Sequence, residues 1–307
     1  MKAVQYTNYG GPEVLRVNET EKPVLKQGQV LVEVRAATIN PFDRKLRAGY
    51  MKDSIPLTFP TTIGADFSGV VVEAAAGFNL GDEVYGSAIV LNGGSGALAD
   101  YAAANGTNIA RKPDALSFSE AAALVLVGVS AVQVLDTLRL ATGQRILIHG
   151  GAGGIGSAAI QYAKYLGAYV ATAVRAADMD FVTSLGADEV IDYEKQPFED
   201  VFHDYDAVFD TIGGDTYARS FKVLKQGGAI ISMNEQPNEQ LSDTYKVKAL
   251  HQSTKVTTDS LNRLAEVVNA GAIKPQVDRE FSLDQAAKAF SFLETGHPKG
   301  KVVVKIG

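Results

Sequence analysis

Cysteine is missing from all 307 residues. No disulfide and no thiolate metal site can form, and the composition suits a reducing compartment such as the cytoplasm. Histidine is scarce too. His149, His203, His251 and His297 stand far apart, and no two make a local ligand pair. No metal site is expected. Positive charge is thin: the net charge is −6 and no lysine/arginine run exceeds two residues. That pattern is unlike a nucleic-acid footprint. Long apolar runs are also lacking. The longest, residues 121–135, contains Ser130 and Gln133 and is short for a bilayer, so a buried helix is expected rather than a membrane span. The opening MKAVQYTNYGG has no apolar core of secretory length.

Glycine, by contrast, is plentiful, and its spacing divides the chain. Over the first 110 residues, short β-branched runs such as GQVLVEVRAATIN alternate with turns, which predicts a compact β-rich domain with a strand at 30–36. The texture changes at SFSEAAAL. Ser117 or Ser119 can cap a helix there, with Glu120 in its first turn. Strands and helices then alternate, which predicts a parallel, doubly wound sheet. After DSLNRLAEVVNAGAI the alternation stops, and a closing helix and the strand KVVVKI are expected to return to the first domain. The α/β chain is thus read as two domains, residues 1–117 with 269–307 and residues 118–268.

The most informative segment is ILIHGGAGGIGSAAIQYAK. Its Gly-x-Gly-x-x-Gly follows a predicted strand and opens a predicted helix, the setting in which that pattern marks a dinucleotide site. Gly151 is expected to permit the tight turn, Gly153 to let a pyrophosphate approach the backbone, and Gly156 to let helix and strand pack closely. Gly154 and Ile155 complete the turn, where helix N–H groups favour an anion. An NAD site usually places an acid at the end of the second strand. Here AYVATAV is followed by Arg175, and no acid appears before Asp178. A guanidinium suits a 2′-phosphate, and Tyr193 can add a hydroxyl, so the expected cofactor is NADPH.

The chain resembles the medium-chain dehydrogenase/reductase superfamily, on its zinc-free quinone oxidoreductase branch. The likeness runs through YGGPEVL, ATINPFDRKLRAG, GADFSGVV, GDEVYG, GALADYAA, VGVSAVQVL, HGGAGGIGSAAIQYAK, SLGADEVIDY and GKVVVKI. Within that branch it looks most like enone and quinone reductases of the plant chloroplast and furanone-reductase type. The resemblance implies a GroES-like β-rich catalytic domain and a Rossmann domain. It also puts Asn40 beside nicotinamide and substrate, Lys45 in the same stretch, and Ser130 near the carboxamide. Arg175 and Tyr193 fall at the 2′-phosphate, Ile212 and Gly213 along the cofactor, and Asn234 near the nicotinamide end. Where zinc alcohol dehydrogenases carry Gly-His-Glu, this chain reads Gly64-Ala65-Asp66. Ala177 stands where many relatives have lysine.

Oxidising a simple alcohol benefits from a Lewis acid. Reducing a conjugated carbonyl needs less help, because charge spreads onto a distant oxygen. Asn40, Lys45 or a backbone N–H can stabilise that oxygen, and Tyr50 or water can return a proton. The expected activity is NADPH-dependent reduction of quinones or α,β-unsaturated carbonyls. An NADPH-binding sensor or structural protein, and a metal-dependent alcohol dehydrogenase, are the alternatives. A homodimer is expected, with GGAIISM as an apolar final strand pairing across a twofold axis.

Overall fold

The computed structural model describes residues 1–307. The chain opens with β1 (Lys2–Tyr6), β2 (Arg16–Glu19), β3 (Gln29–Ile39) and α1 (Pro41–Arg47). There follow β4 (Thr61–Thr62), β5 (Asp66–Glu73), β6 (Glu83–Ser87), β7 (Tyr101–Asn105) and β8 (Ile109–Arg111). A 21-residue helix, α2 (Phe118–Leu138), leads to β9 (Arg145–His149), α3 (Gly154–Tyr165), β10 (Tyr169–Val174), α4 (Met179–Ser184) and β11 (Glu189–Asp192). Next come β12 (Tyr205–Asp210), α5 (Gly214–Ser220), β13 (Leu224–Ser232), α6 (Glu239–Tyr245) and β14 (Lys248–His251). The chain closes with α7 (Thr258–Asn269), β15 (Val277–Ser282), α8 (Ala286–Thr295) and β16 (Lys301–Lys305).

Two compact units result: residues 1–126, 256–269 and 275–307, and residues 127–255 with 270–274. These bounds differ from the expected 118 and 268, for two local reasons. The start of α2 stays with the first unit, where Ala122 and Ala123 pack on Ala36 and Val303 and the Phe118 carbonyl accepts from Ser68. The helix α7 also stays there. Thr258 donates to the carbonyls of Gly106 and Ile109, and the Tyr85 hydroxyl donates to the Leu261 carbonyl. By length and apolarity α2 can cross a membrane, but 72% of its most apolar window is buried within the protein. It is longer than the apolar run suggested.

The first unit holds a three-stranded sheet, β2-β1-β4, and a seven-stranded sheet ordered β15-β16-β3-β5-β6-β8, with β7 also paired to β3. The long β3 organises the larger sheet. Its Val30, Val32 and Val34 enter the core with the period of two that a strand requires. The register against β5 then shifts between Val34 and Ala36, and the core residues become Ala37 and Ile39. A bulge thus exchanges the faces of β3 half-way along. Residues 36, 38 and 40 come to lie on the face away from that core.

The second unit carries a six-stranded, all-parallel sheet ordered β11-β10-β9-β12-β13-β14. The chain winds outward from β9 through β10 and β11, then returns to β12 on the other side of β9. That reversal makes the carboxyl ends of β9 and β12 the place where a doubly wound sheet binds ligands. Ile146, Leu147 and Ile148 of β9 are fully buried, as expected for a strand covered on both faces. One expectation needs correction. GGAIISM lies in β13, which is paired on both sides, by β12 and by β14. The edge strand on that side is β14, whose sequence KALH is too mixed to stand out as a strand.

Candidate functional site

In the second unit the polar groups are mostly backbone. Gly150 carries the left-handed conformation of the turn, with φ of 72°, so the sharp bend falls one residue before Gly151. A Cβ on Gly151 would lie 2.3 Å from the Thr172 hydroxyl, which donates to the Ile148 carbonyl at 2.7 Å. A Cβ on Gly156 would lie 2.2 Å from the Gly150 carbonyl oxygen, so helix and turn touch there. Gly153 differs. Its nearest obstacle is 3.4 Å away, and it stands as the N-cap of the 12-residue helix α3. Gly154 and Ile155, half-exposed, supply first-turn N–H groups of the kind that bind a phosphate.

Beyond β10, Arg175 is half-buried, and its Nη2 lies 3.2 Å from the buried Asp178 carboxylate. Asp178 therefore spends charge on Arg175 and orients the guanidinium. Tyr193 follows β11, with its ring exposed and its N–H bonded to the Val174 carbonyl at 3.1 Å. Arg175 and Tyr193 thus flank the ends of adjacent strands, which fits a 2′-phosphate. After β12, Asp210 is fully buried and accepts from the N–H groups of Ile212 and Gly213, both at 3.0 Å, and from the Ser232 hydroxyl at 2.6 Å. Ser232 in turn accepts from the N–H of Asn234, and the Asn234 side chain donates to the Thr211 carbonyl at 2.8 Å. The residues 212, 213 and 234 are thus held by one buried carboxylate and one hydroxyl. Neither Asp210 nor Ser232 was singled out from the sequence, although Asp210 opens the DTIGG stretch.

Ser130 is fully buried, with its hydroxyl 2.5 Å from that of Thr254. His149 is buried as well. Its Nε2 lies 2.8 Å from the Ser220 hydroxyl, and its ring meets Phe198 edge-on. Burial pulls its pKa down to about 4, against the raising effect of Asp210. A neutral imidazole tied to a serine shapes the loop.

In the first unit the polar groups are side chains. Asn40 is 2% exposed and caps α1 with Pro41 at the first helical position, while its own N–H donates to the Asp43 carboxylate at 2.8 Å. Its Nδ2 donates to Asp66 at 2.8 Å, and its Oδ1 accepts from the Lys301 ammonium at 2.5 Å. Strand register explains the meeting. Val302 pairs with Ile39, so Lys301 stands opposite Asn40; Phe67 pairs with Ala37, so Asp66 stands opposite Thr38. Three neighbouring strands deliver these groups to one face. Lys45 and Tyr50 are both exposed, and Arg44 lies beside Tyr50, 6.0 Å from the ring centre.

Residues 26–114 match the family described as Alcohol dehydrogenase GroES-like domain, and residues 185–304 the one described as Zinc-binding dehydrogenase. The 2-methylene-furan-3-one reductase of Solanum lycopersicum is 37% identical over 99% of this chain and 79% of its own length. The chloroplastic NADPH-dependent alkenal/one oxidoreductase of Arabidopsis thaliana gives the same identity and the same coverage. The chain belongs to the medium-chain dehydrogenase/reductase superfamily, on its zinc-free quinone oxidoreductase branch. Among solved structures, the quinone oxidoreductase from Coxiella burnetii superposes with a TM-score of 0.90 at 33% identity, covering 100% of this chain and 99% of that one.

The chain has no cysteine, and no three of its histidine, aspartate and glutamate side chains come together as a metal-binding group. Asp66, in the stretch Gly64-Ala65-Asp66, is already occupied by Asn40 and Thr38. Lys301 was not singled out from the sequence. It opens β16 in the quoted stretch GKVVVKI, and only the pairing register reveals what it faces.

Proposed function

We propose that this protein is an NADPH-dependent reductase that transfers hydride to quinones or α,β-unsaturated carbonyls. One observation carries the proposal. The glycine turn that caps α3 and the Arg175 guanidinium at the end of β10 together fit a dinucleotide bearing a 2′-phosphate. The relatives' names support the acceptor class: one is a furanone reductase, the other an alkenal/one oxidoreductase.

The cofactor, when bound, supplies the hydride. The chain's own residues do the rest. N–H groups at 154 and 155 hold diphosphate, Arg175 and Tyr193 hold the 2′-phosphate, and the loop fixed by Asp210 lines the cofactor with Ile212, Gly213 and Asn234. Ser130 serves the carboxamide. The Asn40 amide stabilises negative charge developing on the acceptor oxygen, and Lys45, exposed on the helix that Asn40 caps, is a further cation offered to it. Tyr50, exposed, or water returns the proton. No step calls for a metal.

Loss of the nicotinamide absorbance band with a panel of quinones and enones tests the reading. Turnover with NADPH and a conjugated acceptor is expected, and a saturated ketone is expected to be inert. A protein that binds NADPH but turns over no acceptor overturns it. Asn40→Ala is expected to lower kcat about 100-fold while leaving NADPH affinity nearly unchanged.

A cytoplasmic location and a homodimer complete the proposal. The cysteine-free composition supports the first. The open side of β14 supports the second, since an edge strand is a ready template for pairing with another copy. Light scattering in solution tests the dimer.

A further inference from the structure

The amide of Asn40 lies between two buried opposite charges. Asp66 is 1% exposed and Lys301 5% exposed. We propose that Lys301 and Asp66 are positioning residues that hold the Asn40 carboxamide in one orientation for the reductase chemistry. The proposal rests on the reading of Asn40 as a catalytic group.

An asparagine amide has an acceptor end and a donor end, and turning it by half a rotation exchanges them. Here the exchange is blocked chemically. The Lys301 ammonium only donates and meets Oδ1; the Asp66 carboxylate only accepts and meets Nδ2. The flipped amide would set its NH2 against the ammonium and its oxygen against the carboxylate. In a buried setting such a mismatch leaves two charges unpaired, the most costly kind of error a core can contain.

The clamp is itself held. Lys301 also donates to the Ile39 carbonyl at 3.0 Å, and Asp66 accepts from the Leu126 backbone N–H as well as from Thr38. The Asn40 backbone is fixed by Asp43. Both ends of the side chain and the main chain are therefore anchored by groups that barely reach solvent.

Stability alone gives little reason for this arrangement. Two buried charges separated by an amide cost desolvation that apolar side chains would avoid. The gain is in the amide. An ammonium on its carbonyl oxygen withdraws electron density from the nitrogen and strengthens the N–H groups as donors. Asp66 takes one Nδ2 hydrogen, and the second is the donor offered to a substrate oxygen. The clamp fixes where that hydrogen points and sharpens it.

The test removes both charges together, since replacing a buried pair by apolar groups of similar volume preserves folding. In the Lys301→Met/Asp66→Leu protein, kcat for a quinone or enone is expected to fall about 30-fold or more. The NADPH dissociation constant, read by nicotinamide fluorescence, is expected to change less than about threefold. In an Asn40→Ala background, the same pair of changes is expected to alter kcat less than about twofold, because the clamp then has nothing to hold. Lys301→Arg, which keeps the charge, is expected to retain more activity than Lys301→Met. An activity-independent reading comes from solvent exchange of the Asn40 Nδ2 hydrogens, assigned by their absence in Asn40→Ala. Exchange is expected to quicken about tenfold or more when the charges are removed. Unchanged exchange, unchanged kcat, or a loss that adds fully to that of Asn40→Ala each overturns the proposal. Wild-type protein that reduces no acceptor defeats the functional reading and the catalytic half of this one. The exchange measurement then decides the orientation by itself.

Discussion

The turn at residues 150–156 and the polar knot around Asn40 are both built to present hydrogen-bond donors, but they are made of different material. The turn uses backbone, with glycines chosen for what their missing side chains avoid. The knot uses side chains from positions 40, 66 and 301, brought together by the pairing of β16, β3 and β5. A backbone device is local and tolerates little change of shape. A side-chain device is assembled at a distance and tolerates little change of charge.

Acidity separates the two most. In the first unit, burial pushes the Asp43 carboxyl up to about 7 from an ordinary value near 3.8. Folding thus favours its neutral form. That contribution is complete below pH 4 and is lost as pH rises through 7, a difference of about 4 kcal/mol. In the second unit, burial holds His149 down near 4 from 6.5, and folding favours the neutral ring. That contribution is complete above pH 6.5 and is lost as pH falls through 4, about 3 kcal/mol. Over pH 4–7 the two contributions run in opposite directions, so chemical denaturation is expected to show stability rising with pH in Asp43→Asn, where the His149 slope remains, and falling with pH in His149→Gln, where the Asp43 slope remains. Parallel profiles for the two variants would erase the contrast.

Shape comes next. Gly156→Ala forces a Cβ against the Gly150 carbonyl and is expected to cost about 3 kcal/mol along with NADPH binding. Gly153→Ala has room, and is expected to change stability by no more than about 1 kcal/mol while still weakening NADPH. Thermal melts with and without cofactor separate the two. The smallest effect is one of discrimination. Arg175→Glu is expected to weaken NADPH about 30-fold and NADH less than about threefold, because only one of them carries the 2′-phosphate. Equal losses would take Arg175 out of cofactor choice.

How much of this could be read in advance follows the same division. The glycine turn, the alternation of β and α, and Arg175 at a strand end are contiguous or regularly spaced signals, and periodicity exposes them. Asn40 was visible through its resemblance. Lys301 and Asp66 were not legible as partners, because 261 residues separate Lys301 from Asn40 and only sheet register joins them. The strand β14 escaped because Lys248 and His251 dilute its apolar pattern. The helix α7 has a plain apolar stripe, but the sequence does not say that Tyr85 and Gly106 will receive it.

The bulge in β3 has a further consequence for anyone altering this scaffold. Because it inverts which side chains face inward, the number of residues between Val34 and Asn40 acts as a fixed count. Deleting one would carry Thr38 and Asn40 toward the greasy interior and push Ala37 and Ile39 out among the ions. Loops elsewhere can lengthen or shorten; this short ribbon cannot.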